Sequence, residues 1–555
     1  MHFSAASLLL AIAPACFASK LPVVDLGYEL HQALSFSESY GTYNFSNIRY
    51  AAPPVGDLRF RAPVSPAKNR SEVQTGAQGR VCPQAQPVWS EDIAPAFLVS
   101  ALTGTQFNQS TNISSYPYVP QQQDPRTTED CLFLDVIAPK KIFDRAQNKT
   151  SVPKKSLAPV LVWIYGGGYT VGEKTSYDPR GLIQRSQKNG EGIIYVALNY
   201  RLGAFGWLAG DTLTANGTAN GALHDQRLAL EWVKESIHLF GGDSDRVTVI
   251  GESAGGGSIL HQITSYGGKG GQLPFQQAIL QSPGWYPLPT DEQQEASLQQ
   301  FLGLLNVSTV EEARKLPTAK LVAANAKQIY RSPYGTYTYG PAVDGTFVPK
   351  MPGELLLEGN FHKNLSLMVG HNSNEGLLFT PPTSVNSNSY AGLLEADLPE
   401  IQQNVSNYIS NVLYPPVYNG TYGYTNPVLR FATTLADIVF QCNTDYLNRA
   451  FLNQTYAYLF SVPPGLHGSD LEYTFYNPAA NSTVTSKNVA LALQDYITSF
   501  AETGAPKSSV GPAFEKHGKK QQILNLGVSN ITTAHDPTAN SRCLFWQDAP
   551  YYEHS

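Results

Sequence analysis

Six short, nearly continuous apolar runs rich in β-branched residues recur along the chain, at 159–165, 192–199, 246–250, 275–280, 365–369 and 455–462. Each stops in or just before Gly, Asn, Ser or Pro, the pattern of strands buried on both faces. Helical patterns lie between them. Residues 223–239 place Leu228, Leu230, Trp232, Val233 and Ile237 at mixed i+3/i+4 spacing, and 489–500 form a second such stretch. Strand and helix alternating in this way predict an α/β fold around a parallel or mostly parallel sheet, whose chemistry sits just beyond the carboxyl ends of the strands.

A chain of 555 residues is long enough for one large core or two to three ordinary domains, and no internal repeat or low-complexity linker divides it. Charged residues are only 15%, with a net charge of −6 and no long run of either sign, which argues against nucleic acid as a partner. Aromatic residues at 11% argue against disorder.

The first residues read as an export signal: a polar start at His2, an apolar run from Leu8 to Ala13, and the small-x-small triplet Cys16-Phe17-Ala18, with cleavage expected after Ala18. That run is too short to span a bilayer, and no later stretch is a candidate transmembrane segment. About thirteen Asn-x-Ser/Thr sequons, Asn44, Asn108, Asn112, Asn306, Asn404, Asn453 and Asn530 among them, exceed the roughly five expected by chance and fit a secreted glycoprotein. Without Cys16 the cysteines are Cys82, Cys131, Cys442 and Cys543. They form an even set with no metal-ligand spacing, suited to disulfides in three formally possible pairings.

The run 246–250 leads straight into Gly251-Glu252-Ser253-Ala254-Gly255. A G-x-S-x-G pentapeptide alone is weak, since roughly 0.3 are expected by chance in a chain this rich in Gly and Ser. Its place between a strand and a helical stretch, 254–263, makes it specific, because a sharp strand-to-helix turn needs small residues two before and two after the serine. That turn exposes the Ser253 oxygen and aims a helix N-terminus at it, favouring the negative charge of acyl transfer. Another strand ends in Gly166-Gly167-Gly168-Tyr169. These glycines are a tight turn or, with an elbow downstream, a source of bare N–H groups for an oxyanion; they match neither a P-loop nor a dinucleotide fingerprint.

A serine nucleophile needs a base, and the base an orienting acid. His261 and His238 fall on helical stretches, where histidines are usually structural, and His517, His535 and His554 in polar segments. His467 follows the strand 455–462 with Gly465 and Gly468 beside it, so a loop carries it into a site. Glu375 follows the strand 365–369, with Asp470 and Asp344 as rival acids.

The chain resembles the type-B carboxylesterase/lipase family, the branch of α/β-hydrolases that includes cholinesterases and secreted fungal lipases, and within it a secreted fungal carboxylesterase. The resemblance rests on ordered blocks: Arg49-Tyr-Ala51 through Arg59-Phe-Arg61, Glu129 to Asp135, Trp163 to Gly168, Asn199 to Gly206, Asp225-Gln-Arg227, Phe240 to Asp243, Gly251 to Gly256, Val343-Asp-Gly345 and Leu466-His-Gly468. It implies an α/β-hydrolase fold, with a large mixed, mostly parallel sheet flanked by helices and 19–555 as a single domain behind a signal peptide at 1–18. It implies Ser253 as nucleophile, His467 as base, and Glu375 as acid in preference to Asp470. Gly167, Gly168 and Ala254 would donate oxyanion N–H groups, and the disulfides would be Cys82–Cys131 and Cys442–Cys543. The expected activity is that of a serine carboxylic ester hydrolase acting on a small-molecule or lipid ester without metal or cofactor.

Two other readings are an interfacially activated lipase and a cholinesterase-like binding protein without chemistry. Tyr165 stands where many lipases of this family have His, and Trp89 is too close to Cys82 to occupy the cholinesterase choline-site position. The segment between Cys82 and Cys131 carries Trp89, Ile93, Phe97, Leu98 and Leu102 near i+4 spacing. It is a mobile lid or a static wall. Six prolines among its residues favour the wall.

Overall fold

The computed structural model of the chain describes residues 21–120, 122–148, 157–288, 290–480 and 482–552. The expected export segment 1–18, with Cys16, and His554 lie outside them.

Among the described residues fourteen strands form two sheets. A small one joins β1 (Val23–Asp25), β2 (Leu30–Gln32) and β5 (Val73–Gln74). The large one contains eleven: β3 (Ser35–Ser37), β4 (Thr42–Arg49), β6 (Phe133–Pro139), β7 (Ala158–Ile164), β8 (Ile194–Leu198), β9 (Gly242–Glu252), β10 (Gln277–Gln281), β11 (Ser366–Asn372), β12 (Tyr456–Phe460), β13 (Gln522–Leu526) and β14 (Ile531–His535). Their order across it is β14-β13-β12-β11-β10-β9-β7-β8-β6-β4-β3. From β8 to β13 every neighbouring pair is parallel, while β3, β4 and β6 at one edge and β14 at the other pair antiparallel. All six apolar runs are strands in this block. Every residue of β7 and β8 is buried, which is why those runs show no alternation.

The helix Gly221–Ser236 packs on β9, and Lys487–Thr503 packs on β7 and β9. Ser486 caps the latter by accepting from the Val489 N–H. The first was expected to reach residue 239, but its last turn tightens into a 3-10 helix, Ile237–Phe240, and His238 is exposed there.

The chain builds β7, lays β8 on one side of it, then crosses back to place β9 on the other and continues outward to β13. The strand order therefore reverses between β7 and β9, and an open α/β sheet leaves a crevice at the carboxyl ends of the strands at that point. The glycines after β7 and the serine after β9 both emerge there.

Candidate active site

Ser253 sits between β9 and the helix Ala254–Thr264 with φ 56° and ψ −123°, a strained conformation for a residue with a side chain. The backbone over-determines it. Its N–H donates to the Gln281 carbonyl at 3.0 Å, and its carbonyl accepts from Gly257 at 2.8 Å and Gly284 at 3.0 Å. The turn packs so closely on the end of β7 that a Cβ at Gly255 would collide with the Ile164 carbonyl oxygen, and one at Gly251 would come within 2.8 Å of the same atom. Both small residues of the pentapeptide are thus fixed by contact with the neighbouring strand.

The loops that carry Glu375 and His467 are stitched together before their side chains meet. The Ser373 N–H donates to Phe460 at 3.0 Å and the Asn374 N–H to Gly465 at 2.8 Å, joining the ends of β11 and β12. His467 Nδ1 then lies 2.6 Å from Glu375 Oε2, and His467 Nε2 lies 2.7 Å from Ser253 Oγ. The imidazole is fixed by two aromatic rings, Phe440 at 4.2 Å and Phe379 at 5.2 Å between centroids. The other oxygen of Glu375 accepts from the Ser282 hydroxyl at 2.6 Å and the Asn372 N–H at 2.5 Å. Burial alone would raise the Glu375 pKa, yet the His467 charge and these hydrogen bonds hold it below the ordinary carboxylate value.

Asp470 and Asp344 have other partners. Asp470 is buried and accepts from Tyr458 at 2.7 Å, Gln281 at 3.0 Å and Asn372 at 3.3 Å, tying strand ends together. Asp344 accepts from the N–H groups of Thr346 and Val348 in its own turn. Among the other histidines, His261 bonds the Gly257 carbonyl on its own helix at 2.8 Å, and burial lowers its pKa to about 4. His517, expected in a polar segment, is buried and pairs with Asp536 at 3.0 Å.

Glu252, next to the serine, was not singled out from the sequence. Its side chain is buried, Oε1 has no hydrogen-bond partner, and that atom lies 3.3 Å from His467 Nε2. Burial first, and then the nearby Asp470 and Glu375 carboxylates, push it up to about 8 against the opposing pull of His467. A glutamate closing an apolar strand was the available signal. His467 itself is lowered by burial but raised more by Glu252 and Glu375, ending above its ordinary 6.5.

After β7, Gly167 (φ 106°) and Gly168 (φ 58°) form a turn closed by the N–H groups of Thr170 and Val171 donating to the Gly167 carbonyl at 3.1 Å. A Cβ at Gly168 would run into the Tyr337 ring, so no side chain fits there. Gly168, Ser253 and Ala254 line one cavity of about 570 Å³, walled by Phe379, Phe440, Trp285 and Tyr337. Tyr165, in the variable position noted above, stacks on Tyr200 at 4.4 Å.

The disulfides are Cys82–Cys131 and Cys442–Cys543. Trp89 and Ile93 are fully buried and Phe97 nearly so, whereas Leu102 is half exposed. The Trp89 indole donates to the Thr336 carbonyl at 2.8 Å and packs on Tyr334, Tyr337 and Phe379, behind the cavity wall.

A strained serine elbow at the switch point of a mixed sheet, facing a histidine and a glutamate from the next loops, defines an α/β-hydrolase. The chain belongs to the carboxylesterase family, whose profile matches residues 32–546. It is 39% identical over 561 residues to carboxylesterase patB of Penicillium expansum, covering 98% of this chain and 99% of that protein. It is also 32% identical over 357 residues to lipase 1 of Geotrichum candidum, covering 61% of this chain and 60% of that one. Among solved structures, Aspergillus niger EstA superposes with a TM-score of 0.78 at 26% identity, covering 96% of this chain and 99% of that one. The chain is an enzyme of the carboxylesterase class.

Proposed function

We propose that the protein hydrolyses carboxylic esters through an acyl-enzyme on Ser253. The observation that carries this is the unbroken relay from Glu375 through His467 to the Ser253 oxygen at the wall of an apolar cavity. His467 Nε2 takes the Ser253 proton as the oxygen attacks the ester carbonyl, and Glu375 holds Nδ1–H and stabilises the imidazolium. The N–H groups of Gly167, Gly168 and Ala254 receive the carbonyl oxygen as it becomes an oxyanion. His467 then passes its proton to the departing alcohol, and water attacks the acyl-enzyme by the same route. Labelling with a fluorophosphonate tests this: wild-type protein takes up the probe and Ser253→Ala does not, whereas a protein that only binds esters takes up none in either form.

The acid limb of the pH profile follows from the histidine. Because its pKa is held above 6.5, His467 gains a proton, and loses base function, as pH falls through a value higher than that of free imidazole. The kcat/KM profile therefore falls on the acid side with a midpoint above 6.5. A midpoint at or below 6.5 would show that the neighbouring carboxylates do not support the imidazolium.

We further propose that the protein is secreted, with residues 1–18 removed and 19–555 forming one domain. The two disulfides support an oxidising destination, and among the described residues no helix is long and apolar enough to cross a membrane.

The buried Trp89 anchor favours the static wall over the lid, and so a carboxylesterase over an interfacially activated lipase. The rate is expected to follow dissolved substrate smoothly through the solubility limit of a short-chain triacylglycerol. A sharp rise at that limit would mean that the segment opens.

A further inference from the structure

The cavity beside Ser253 is not uniformly apolar. Phe379, Phe440, Trp285 and Tyr337 give it aromatic walls, but Tyr286, Gln293, Asp397, Glu292 and Glu400 also line it, and Glu292, Ala396 and Pro399 are exposed to solvent. Two polar atoms of this lining, the Tyr286 hydroxyl and Gln293 Oε1, are buried without a hydrogen-bond partner. Groups of this kind are costly to leave unpaired, and their cost is recovered when a ligand supplies the missing partner. No Lys, Arg or His is among the cavity's described lining residues, so nothing there offsets the carboxyl groups. Partial burial pushes the Asp397 carboxyl up to about 8, and burial together with Asp397 keeps the Tyr286 phenol protonated. Both therefore stand as neutral donor–acceptor groups lining the same cavity as Gln293.

We infer that Tyr286, Gln293 and Asp397 form a polar subsite that selects esters bearing a free hydroxyl on the part of the molecule remote from the scissile bond. A hydroxyl gives a donor to Gln293 Oε1 and exchanges hydrogen bonds with Tyr286 and Asp397. A terminal methyl leaves the Tyr286 hydroxyl and Gln293 Oε1 unpaired, and a terminal carboxylate meets Glu292 and Glu400 as a like charge. The inference rests on the ester-hydrolase reading and adds the class of substrate to it.

The test compares p-nitrophenyl hexanoate with its terminal-hydroxy and terminal-carboxy analogues, and hexyl butyrate with the butyrate monoester of hexanediol, so that acyl and alcohol sides are both sampled. In at least one series the hydroxyl ester is expected to exceed the methyl ester about tenfold in kcat/KM, mainly through KM, with the carboxylate ester poorest. An apolar cavity without this subsite gives the reverse order, because the hydroxyl costs desolvation and gains nothing. In Tyr286→Phe and in Gln293→Leu the hydroxyl-to-methyl ratio falls towards one or below, and fluorophosphonate labelling of each variant shows that its serine centre is intact. Methyl preferred in both series, or a ratio unchanged in both variants, overturns the subsite. Loss of all turnover and labelling in the wild-type protein is a different result: it removes the hydrolase reading and this inference with it.

Discussion

Ser253→Ala and His467→Ala are expected to lower kcat/KM for a p-nitrophenyl ester by about four to six orders of magnitude, each alone nearly as damaging as both together. In the proposed mechanism the serine oxygen and the imidazole move one proton between them across 2.7 Å, so neither retains a function without the other. Folding should survive. The elbow is held by backbone bonds from Ser253 to Gln281, Gly257 and Gly284, none of which uses the hydroxyl. The thermal midpoint of Ser253→Ala is expected within a few degrees of the wild type. A variant retaining more than about one hundredth of wild-type turnover would remove Ser253 from the reaction.

Glu375→Gln is expected to cost about three to four orders of magnitude in kcat with little change in stability, for a reason the local hydrogen bonds dictate. The Asn372 N–H can only donate, and it points at one Glu375 oxygen together with the Ser282 hydroxyl. In the glutamine variant the amide oxygen must take that place, which turns the NH2 group towards His467 Nδ1. Nδ1 then has to accept, so the proton moves to Nε2, and the imidazole faces Ser253 with a donor where it needs a lone pair. A drop of less than about tenfold would mean that the tautomer is fixed by something other than Glu375.

The parts of this site that could be read from the sequence are those set by local rules. Ser253 was legible because the elbow needs a strand, a helix and small residues within one short stretch. Glu375 and His467 were legible as polar residues just past strand ends, with the glutamate separated from Asp470 only by family resemblance. The central strands β7 to β12 were legible because both their faces are buried. The edges were not: β4 carries Thr42, Asn44 and Asn47 among its apolar residues, and β14 is mostly exposed, so neither shows a continuous apolar run. Ser282, Asn372 and Glu252 were not legible as members of the site. Their roles exist only where the ends of β9, β10 and β11 lie side by side, and no spacing along the chain encodes that convergence. His517 was hidden by its polar neighbours Lys516, Lys519 and Lys520, although its pairing with Asp536 buries it.

In the proposed reaction the acyl group of the substrate passes through a covalent bond to Ser253. Rapid mixing of the protein with excess p-nitrophenyl acetate, acid quenching and mass analysis of its peptides reads this bond directly. One acetyl group is expected on the peptide that contains Ser253, appearing together with a burst of nitrophenol and absent from Ser253→Ala. Nitrophenol released at the full wild-type rate with no acetyl on that peptide, or with the acetyl on another residue, would contradict it.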